Sequence, residues 1–413
     1  MRKRYLVLTV VLVTMLFSQL ALASNEMLIY HWWTAGGEKE AIDALLEVYQ
    51  GMNPNVKIVD NPVPGGAGVE MKAVMKSLIL AGQPPSTFQV HAGAEAKLYV
   101  DNELLDPINE LWAEKGWANV VPKDLQDILM FDGDYYLVPV NVHRANLFFY
   151  NKKVFDQHNL TPPTTVDELL EICAKLESVG VTPLALGSRY KWEAAHLFET
   201  ILLASAGPQF YNDYFQGKAQ ATDAPFIEAL TKFGQLIKYG NQDHSAFTWD
   251  QAANRIMTGE AAFHVNGDWV KGYLTGAGHV AGVDFDVFAL PVGTFDLVVD
   301  AFGLPQGAPG REATLLFLES ILTPEGQQAF NPIKGSIPAR SDLDRSIYDG
   351  ISQRMMADLA SNILVPSAVH GSAAPDAFMS DWNDVIHRFL YTGNVEQTAR
   401  ELAARAIEHG LVQ

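Results

Sequence analysis

A distinctive mix of side chains recurs where extended runs of this sequence end, or in loops standing opposite them. They are Trp32, Trp33, Glu38, Gln89, His91, Glu95, His143, Trp249, Trp269, Asp300, Lys334 and His370. Indoles offer flat apolar plates, carboxylates accept, lysine donates, and histidine can do either. The set suits a small ligand with apolar C–H faces and a rim of hydroxyls, which describes a carbohydrate. Each residue alone has a plainer reading: Trp249 and Trp269 as core, His370 as surface loop, Lys334 as a solvated charge. Bond-breaking chemistry is poorly represented. The sequence has no Gly-x-Ser-x-Gly elbow, no His-Glu-x-x-His helix and no Walker loop, and the single Cys173 leaves no cysteine pair for a metal. Gly65-Gly66-Ala67-Gly68 is a weak glycine-rich turn. Asp284 and Asp286 share a strand face, but carboxylates at that spacing usually sit on solvated surfaces, and a glycosidase needs two well-placed acids. The expectation is a binding protein without catalytic residues, metal or cofactor.

The elements that must position these residues alternate. Leu28 to His31 reads as a buried strand, and Ile42, Leu45, Leu46 and Tyr49 recur at helical spacing after the Gly36-Gly37 turn. Two adjacent tryptophans on a strand face opposite ways, so one of Trp32 and Trp33 belongs at the mouth of a cleft. Strands follow at 56–59 and 86–90, with helices at 68–81 and 92–100. This β-α-β-α order implies a mostly parallel sheet with helices on its faces. Tyr136 to Tyr150 is a long extended stretch that fits a strand passing from one domain to the next. A second α/β region carries helices at 192–206, 225–239 and 249–258 and strands at 183–186, 261–265 and 285–290. Asp300 to Pro305 starts a new unit, and the chain from Tyr348 onward reads as largely helical.

Arg2, Lys3 and Arg4 precede an apolar run from Leu6 to Leu16, and Ala21-Leu22-Ala23 supplies small residues for cleavage. Residues 1–23 therefore read as a secretory signal peptide, too short in its apolar part to span a bilayer. The signal holds three of 29 basic residues and none of 48 acidic ones, so the mature charge is 26 − 48 = −22. That balance disfavours nucleic acid or an anionic membrane as partner. No later stretch is apolar enough for membrane insertion. Cys173 lies in a helix interior and reads as an inert core thiol.

The chain resembles the solute-binding proteins of carbohydrate ABC importers, the extracellular family that includes maltose-binding protein. The resemblance rests on Gly133-Asp134-Tyr135-Tyr136-Leu137-Val138-Pro139, Phe149-Tyr150-Asn151-Lys152, Pro163-Thr164-Thr165-Val166-Asp167-Glu168-Leu169, Met257-Thr258-Gly259-Glu260-Ala261-Ala262 and Leu322-Thr323-Pro324-Glu325-Gly326-Gln327. A narrower resemblance to the glucose- or mannose-binding branch rests on Tyr30-His31-Trp32-Trp33, Gln89-Val90-His91, Lys334-Gly335-Ser336-Ile337-Pro338-Ala339-Arg340 and Pro366-Ser367-Ala368-Val369-His370-Gly371.

The resemblance implies a two-lobe periplasmic binding-protein fold of the α/β class, with mixed, mostly parallel sheets flanked by helices and the ligand in the interlobe cleft. Residues 24–140 and 300–338 would form the N-terminal lobe, 144–290 and 345–413 the C-terminal lobe, and 141–143, 291–299 and 339–344 the hinge crossovers. It implies sugar contacts for Trp32, Trp33, Glu38, Lys334 and His370, and matching positions for Gln89, His91, Trp249, Trp269 and Asp300. His143 sits where more distant relatives place a ligand acid. Trp33 and Trp269 would supply one plate per lobe. The implied function is capture of a monosaccharide, glucose or mannose, by a periplasmic monomer that delivers it to the transmembrane subunits of an ABC permease. An oligosaccharide receptor is the alternative within the family, and a secreted glycosidase the alternative outside it. A chemoreceptor role for the same fold is a further rival.

Overall fold

The computed structural model of the chain describes residues 25–412, so the expected signal segment lies outside the described residues. Two sheets flanked by helices form two lobes. In the first, strand Glu26–His31 lies parallel to Lys57–Pro62 on one side and to Thr87–His91 on the other. The expected helix is present as Gly37–Met52, and Ile42, Leu45, Leu46 and Tyr49 are all buried along one face. Tyr49 is tied down further by donating from its hydroxyl to the Ala313 carbonyl at 2.8 Å.

The second lobe has the strand order Thr182–Ala185, Ala261–Asn266, Leu147–Asn151, Phe285–Ala289. Its core is aromatic. Phe198 packs on Phe226, Phe233 and Trp382 with ring centroids 5.2 to 5.5 Å apart. Cys173 is buried in helix Val166–Ser178, and burial pushes its thiol up to about 12, the inert state the sequence suggested.

Antiparallel pairing has a larger share than the β-α-β order suggests. Within each unit the strands are parallel, but strands arriving from the other lobe enter reversed. Asp300–Pro305 runs antiparallel to Thr87–His91, and Leu147–Asn151 runs antiparallel to both its neighbours. The second of these comes from the long extended stretch, whose residues 137–139 join the first sheet, 143–144 a small three-stranded sheet, and 147–151 the second sheet, while the first follows strand Thr294–Val298 of that small sheet.

That small sheet takes in parts of the first two expected crossovers but not the third, 339–344. Thr294–Val298 is its central strand, paired with His143–Arg144 and with Ile363–Pro366. The last strand lies within the stretch that reads as largely helical, because its four residues carry no alternation of their own. Helix Lys191–Phe215 also runs past the expected end at Ala206, kinking at Gly207 and Pro208 and then resuming.

Candidate functional site

A cavity of about 240 Å³ lies between the lobes, and ten of the residues singled out from the sequence line it. Trp32, Trp33, Glu38, His91, Asp300 and Lys334 come from the first lobe, His143 from the crossover, and Trp249, Trp269 and His370 from the second. All stand at element ends, as the alternating chain requires. Glu38 is in the first turn of Gly37–Met52, Lys334 ends helix Pro324–Lys334, and Trp249 and Trp269 each open a helix.

Gln89 and Glu95 do not line the cavity; they stand behind its wall. Gln89 accepts from the Trp32 backbone N–H at 3.1 Å and donates to Asp300 at 2.9 Å. Glu95 is paired with His91 and with Lys72, both at 2.8 Å. Burial works to raise the Glu95 carboxyl, but Lys72 and His91 outweigh it and hold it below its ordinary value. Both residues orient the side chains in front of them.

The tryptophan pair divides differently from the expected plates. Trp33 is wholly buried, with its ring against Phe330 at 4.8 Å and Phe302 at 6.0 Å. Trp32 keeps an exposed edge and packs on His91 at 4.8 Å, with its other surroundings including Gly68. A Cβ at Gly68 would fall 2.5 Å from the Trp32 ring, so the backbone must stay bare there. Both line the cavity, and Trp32 is the one of the two that keeps some exposed surface there. Trp269 is the opposite plate, with His143 and His370 edge-on at 5.2 and 5.1 Å.

The charged groups form a buried chain. Asp300 accepts from Gln89, from Asn141 at 2.8 Å and from His143 at 3.2 Å. Burial would raise its pKa, but His143, His91 and Lys334 prevail and hold it well below the usual carboxylate range. His143 turns its other ring nitrogen to Asp268. Burial favours the neutral ring, yet Asp268 and Asp300 together raise its pKa. Lys334 is 2% exposed and donates to Glu38 at 2.9 Å, so the solvated-charge reading fails.

His370 is equally far from a surface loop. It is buried, with Nε2 3.0 Å from Nδ1 of His196. Burial, then His196 and His91, push its pKa well down, so the ring is neutral and can both donate and accept. Its loop is pinned from below by Glu199, whose carboxylate accepts from Ser367 Oγ at 3.0 Å and from the Ala368 and Val369 amides.

Sequence reasoning missed Tyr190, Trp192, Thr248 and Asp250, and gave no site role to the glycine turn, whose residues 64–67 line the cavity with them. Trp192 and Trp249 are set by one buried acid. Glu193 accepts from the Tyr190 amide at 3.0 Å and the Trp249 amide at 2.6 Å, clamping the starts of two helices. A capping pattern with Glu at the third helical position was the available signal. Asp284 and Asp286 lie away from the cavity, Asp284 accepting from the Val280 amide and Asp286 paired with Arg354.

The arrangement can hold a neutral polyhydroxylated ring between aromatic plates, with fixed acceptors at Glu38 and Asp300 and a fixed donor at Lys334. Among the described residues no group of His, Cys, Asp and Glu is arranged to hold a metal. No helix of the described residues is long and apolar enough to cross a membrane.

A family model for bacterial extracellular solute-binding proteins matches residues 35–328. An uncharacterised ABC transporter extracellular-binding protein of Pyrococcus horikoshii is 44% identical over 382 residues, covering 92% of this chain and 86% of that one. A Rhizobium meliloti protein named "probable sugar-binding periplasmic protein" is 31% identical, covering 97% of this chain and 98% of the relative. The solved structure of a bacterial solute receptor described as exclusively preferring β-D-galactopyranose superposes with a TM-score of 0.83. It covers 93% of this chain and 99% of its own at 19% identity, a likeness of fold.

Proposed function

This chain belongs to the bacterial extracellular solute-binding proteins, and from that premise we propose that it captures one pyranose, glucose or mannose, for an ABC importer. Membership makes it a binding protein and not an enzyme. The role in sugar uptake draws support from the named sugar-binding relative, and the periplasmic or extracellular setting from the family itself.

The observation that carries the single-ring reading is the cavity itself. Its 240 Å³ is about one and a half times the ~150 Å³ that holds a benzene ring, room for one substituted six-membered ring but not two. Trp32 and Trp269 would cover the ring's apolar faces. Glu38, Asp300 and Lys334 would make charge-assisted hydrogen bonds to its hydroxyls, stronger than neutral ones. Because these groups come from both lobes, a sugar binds the closed arrangement better than an open one and shifts the population toward it. Bending at 141–143, 291–299 and 339–344 would allow the motion, and the closed monomer would dock the permease subunits.

Tryptophan fluorescence titration of the purified mature chain with glucose, mannose, galactose, xylose and maltose tests this. A saturable change with glucose or mannose and none with maltose is expected. Response to maltose alone would favour the oligosaccharide reading. Silence across the panel after stripping bound sugar by unfolding and refolding would remove the proposal.

A further inference from the structure

We infer that the loop carrying His370 is a strap that clips the second lobe to the first, with the Ala94 and Glu95 amides as its catch. The inference rests on the sugar reading of the cleft for the ligand that fastens the strap. One end of the loop is held by the second lobe. The Ala368 amide donates to Glu199 at 2.5 Å and to the Tyr211 hydroxyl at 3.0 Å, both on helix Lys191–Phe215. The other end reaches the first lobe, at the start of helix Ala94–Asp101. There the Ala94 amide donates to the Ser372 carbonyl at 3.1 Å and the Glu95 amide to the Gly371 carbonyl at 2.7 Å. His370, which lines the sugar cleft, sits between the two attachments.

The first amides of a helix have no partner within it, so these two need an acceptor from outside, and the strap supplies both carbonyls. The two backbones can approach this closely because each side is bare where they meet. A Cβ at Gly93 would fall 2.6 Å from the Ser372 carbonyl oxygen, and one at Gly371 would fall 2.6 Å from Glu95 Oε2. Both glycines also have positive φ, +97° and +74°, which side chains disfavour. The catch itself is anchored in the first lobe, where Lys72 holds the Glu95 carboxylate at 2.8 Å from helix Val69–Leu80.

The joint is built to come undone. Glu95 Oε1 and Ser372 Oγ are both buried without a hydrogen-bond partner. Leaving two polar atoms in that state offsets much of what the two backbone bonds contribute, and water satisfies all of them once the lobes part. The catch alone therefore does not keep the lobes together. A sugar that touches His370 on the strap and Asp300 or Lys334 on the first lobe adds the interaction that favours the fastened state.

Amide hydrogen exchange read by NMR on the mature chain, with and without glucose or mannose, tests the strap. Gly93 donates to the Ile128 carbonyl at 3.1 Å and Lys97 to the Gly93 carbonyl at 3.0 Å, both inside the first lobe, so these amides bracket the catch. Without sugar, Ala94 and Glu95 should exchange about tenfold faster than that pair, and saturating sugar should slow them to match it. Ala94→Pro removes one catch amide at the helix position that tolerates proline, and should speed sugar release about tenfold in stopped-flow fluorescence. An amide with a merely structural role would alter unfolding and leave release alone. Equal protection of all four amides without sugar, or unchanged release from Ala94→Pro, would overturn the inference. The exchange comparison needs no variant, so it decides even where Ala94→Pro fails to fold. If neither sugar binds, the sugar reading falls, and the exchange of the unliganded chain still judges the strap: a catch no faster than its bracketing amides would overturn it.

Discussion

His143 stands between Asp268 and Asp300, with one ring nitrogen turned to each carboxylate. Asp268 immediately precedes the helix that carries Trp269, and Asp300 opens the strand that returns to the first lobe. The imidazole therefore joins the two walls of the cleft at the point where the chain first crosses between them.

That position gives His143 a pH signature. Its folded pKa lies above the ordinary 6.5, so its contribution to stability is complete below about pH 6.5 and is lost as pH rises through the higher folded value. Denaturant unfolding at a series of pH values should show wild type and His143→Gln furthest apart at the acid end and converging upward. A constant gap would mean that folding leaves the ring's pKa unshifted.

Trp32 and Trp33 should separate affinity from stability. Trp32→Ala removes an indole from the cavity wall and is expected to weaken sugar binding by about 2 kcal/mol, roughly 30-fold, with a smaller loss of stability than Trp33→Ala. Trp33→Ala empties a fully buried site and should cost ~3–5 kcal/mol of stability. Calorimetry and urea unfolding on the same two variants check both halves. Undiminished sugar affinity in Trp32→Ala would leave that indole a purely structural role.

This pair also marks the limit of what was legible beforehand. Strand alternation and helix periodicity placed Trp32, Glu38, His91 and Asp300 at element ends, and element ends are where open sheets present ligands. Alternation said that the two indoles part company, but which one keeps exposed surface in the cleft depends on Phe302 and Phe330, residues some 270 to 300 positions away. Gln89 shows the same limit. Its type fits a sugar contact, and only the distances to Trp32 and Asp300 reveal a supporting role. Trp192 was missed because the Tyr190–Glu193 capping pattern marks a helix start without saying that its tryptophan faces a cavity. Strand Ile363–Pro366 was missed because its partner, Thr294–Val298, supplies the pairing that its own short run does not advertise.

Glu199 tests whether the loop bearing His370 must be held. Glu199→Ala removes the acceptor for the Ala368 and Val369 amides and for Ser367 Oγ. Hydrogen exchange at those amides should speed up, and sugar affinity should fall about tenfold, the worth of one well-placed hydrogen bond to a charged or polar group. Glu199→Gln keeps an acceptor oxygen and should restore most of both. Fast exchange with undiminished affinity would show that His370 does not need its anchor.

Glu193 offers the sharpest pH test, because its carboxyl clamps the two helix starts that set Trp192 and Trp249. Burial pushes it up to about 8 from an ordinary 4.5, against the pull of the Tyr190 and Trp249 amides. Between those values the folded chain keeps a proton that the unfolded chain has lost, so this group makes stability fall as pH rises, by up to about 1.4 kcal/mol per pH unit. The sign is opposite to that of a salt-bridged acid, whose stabilisation is lost on acidification. Glu193→Gln copies the protonated carboxyl and carries no charge at any pH. Urea unfolding from about pH 5 to about pH 8 should therefore show a downward slope in wild type that the variant lacks. Above the folded pKa the ionised carboxylate must seek water, which pulls on the amides that aim the two tryptophans, so wild-type sugar affinity should decline there while the variant's holds. Parallel stability curves for the two proteins would mean that the clamp is already ionised in the folded state and that the amides alone keep it buried.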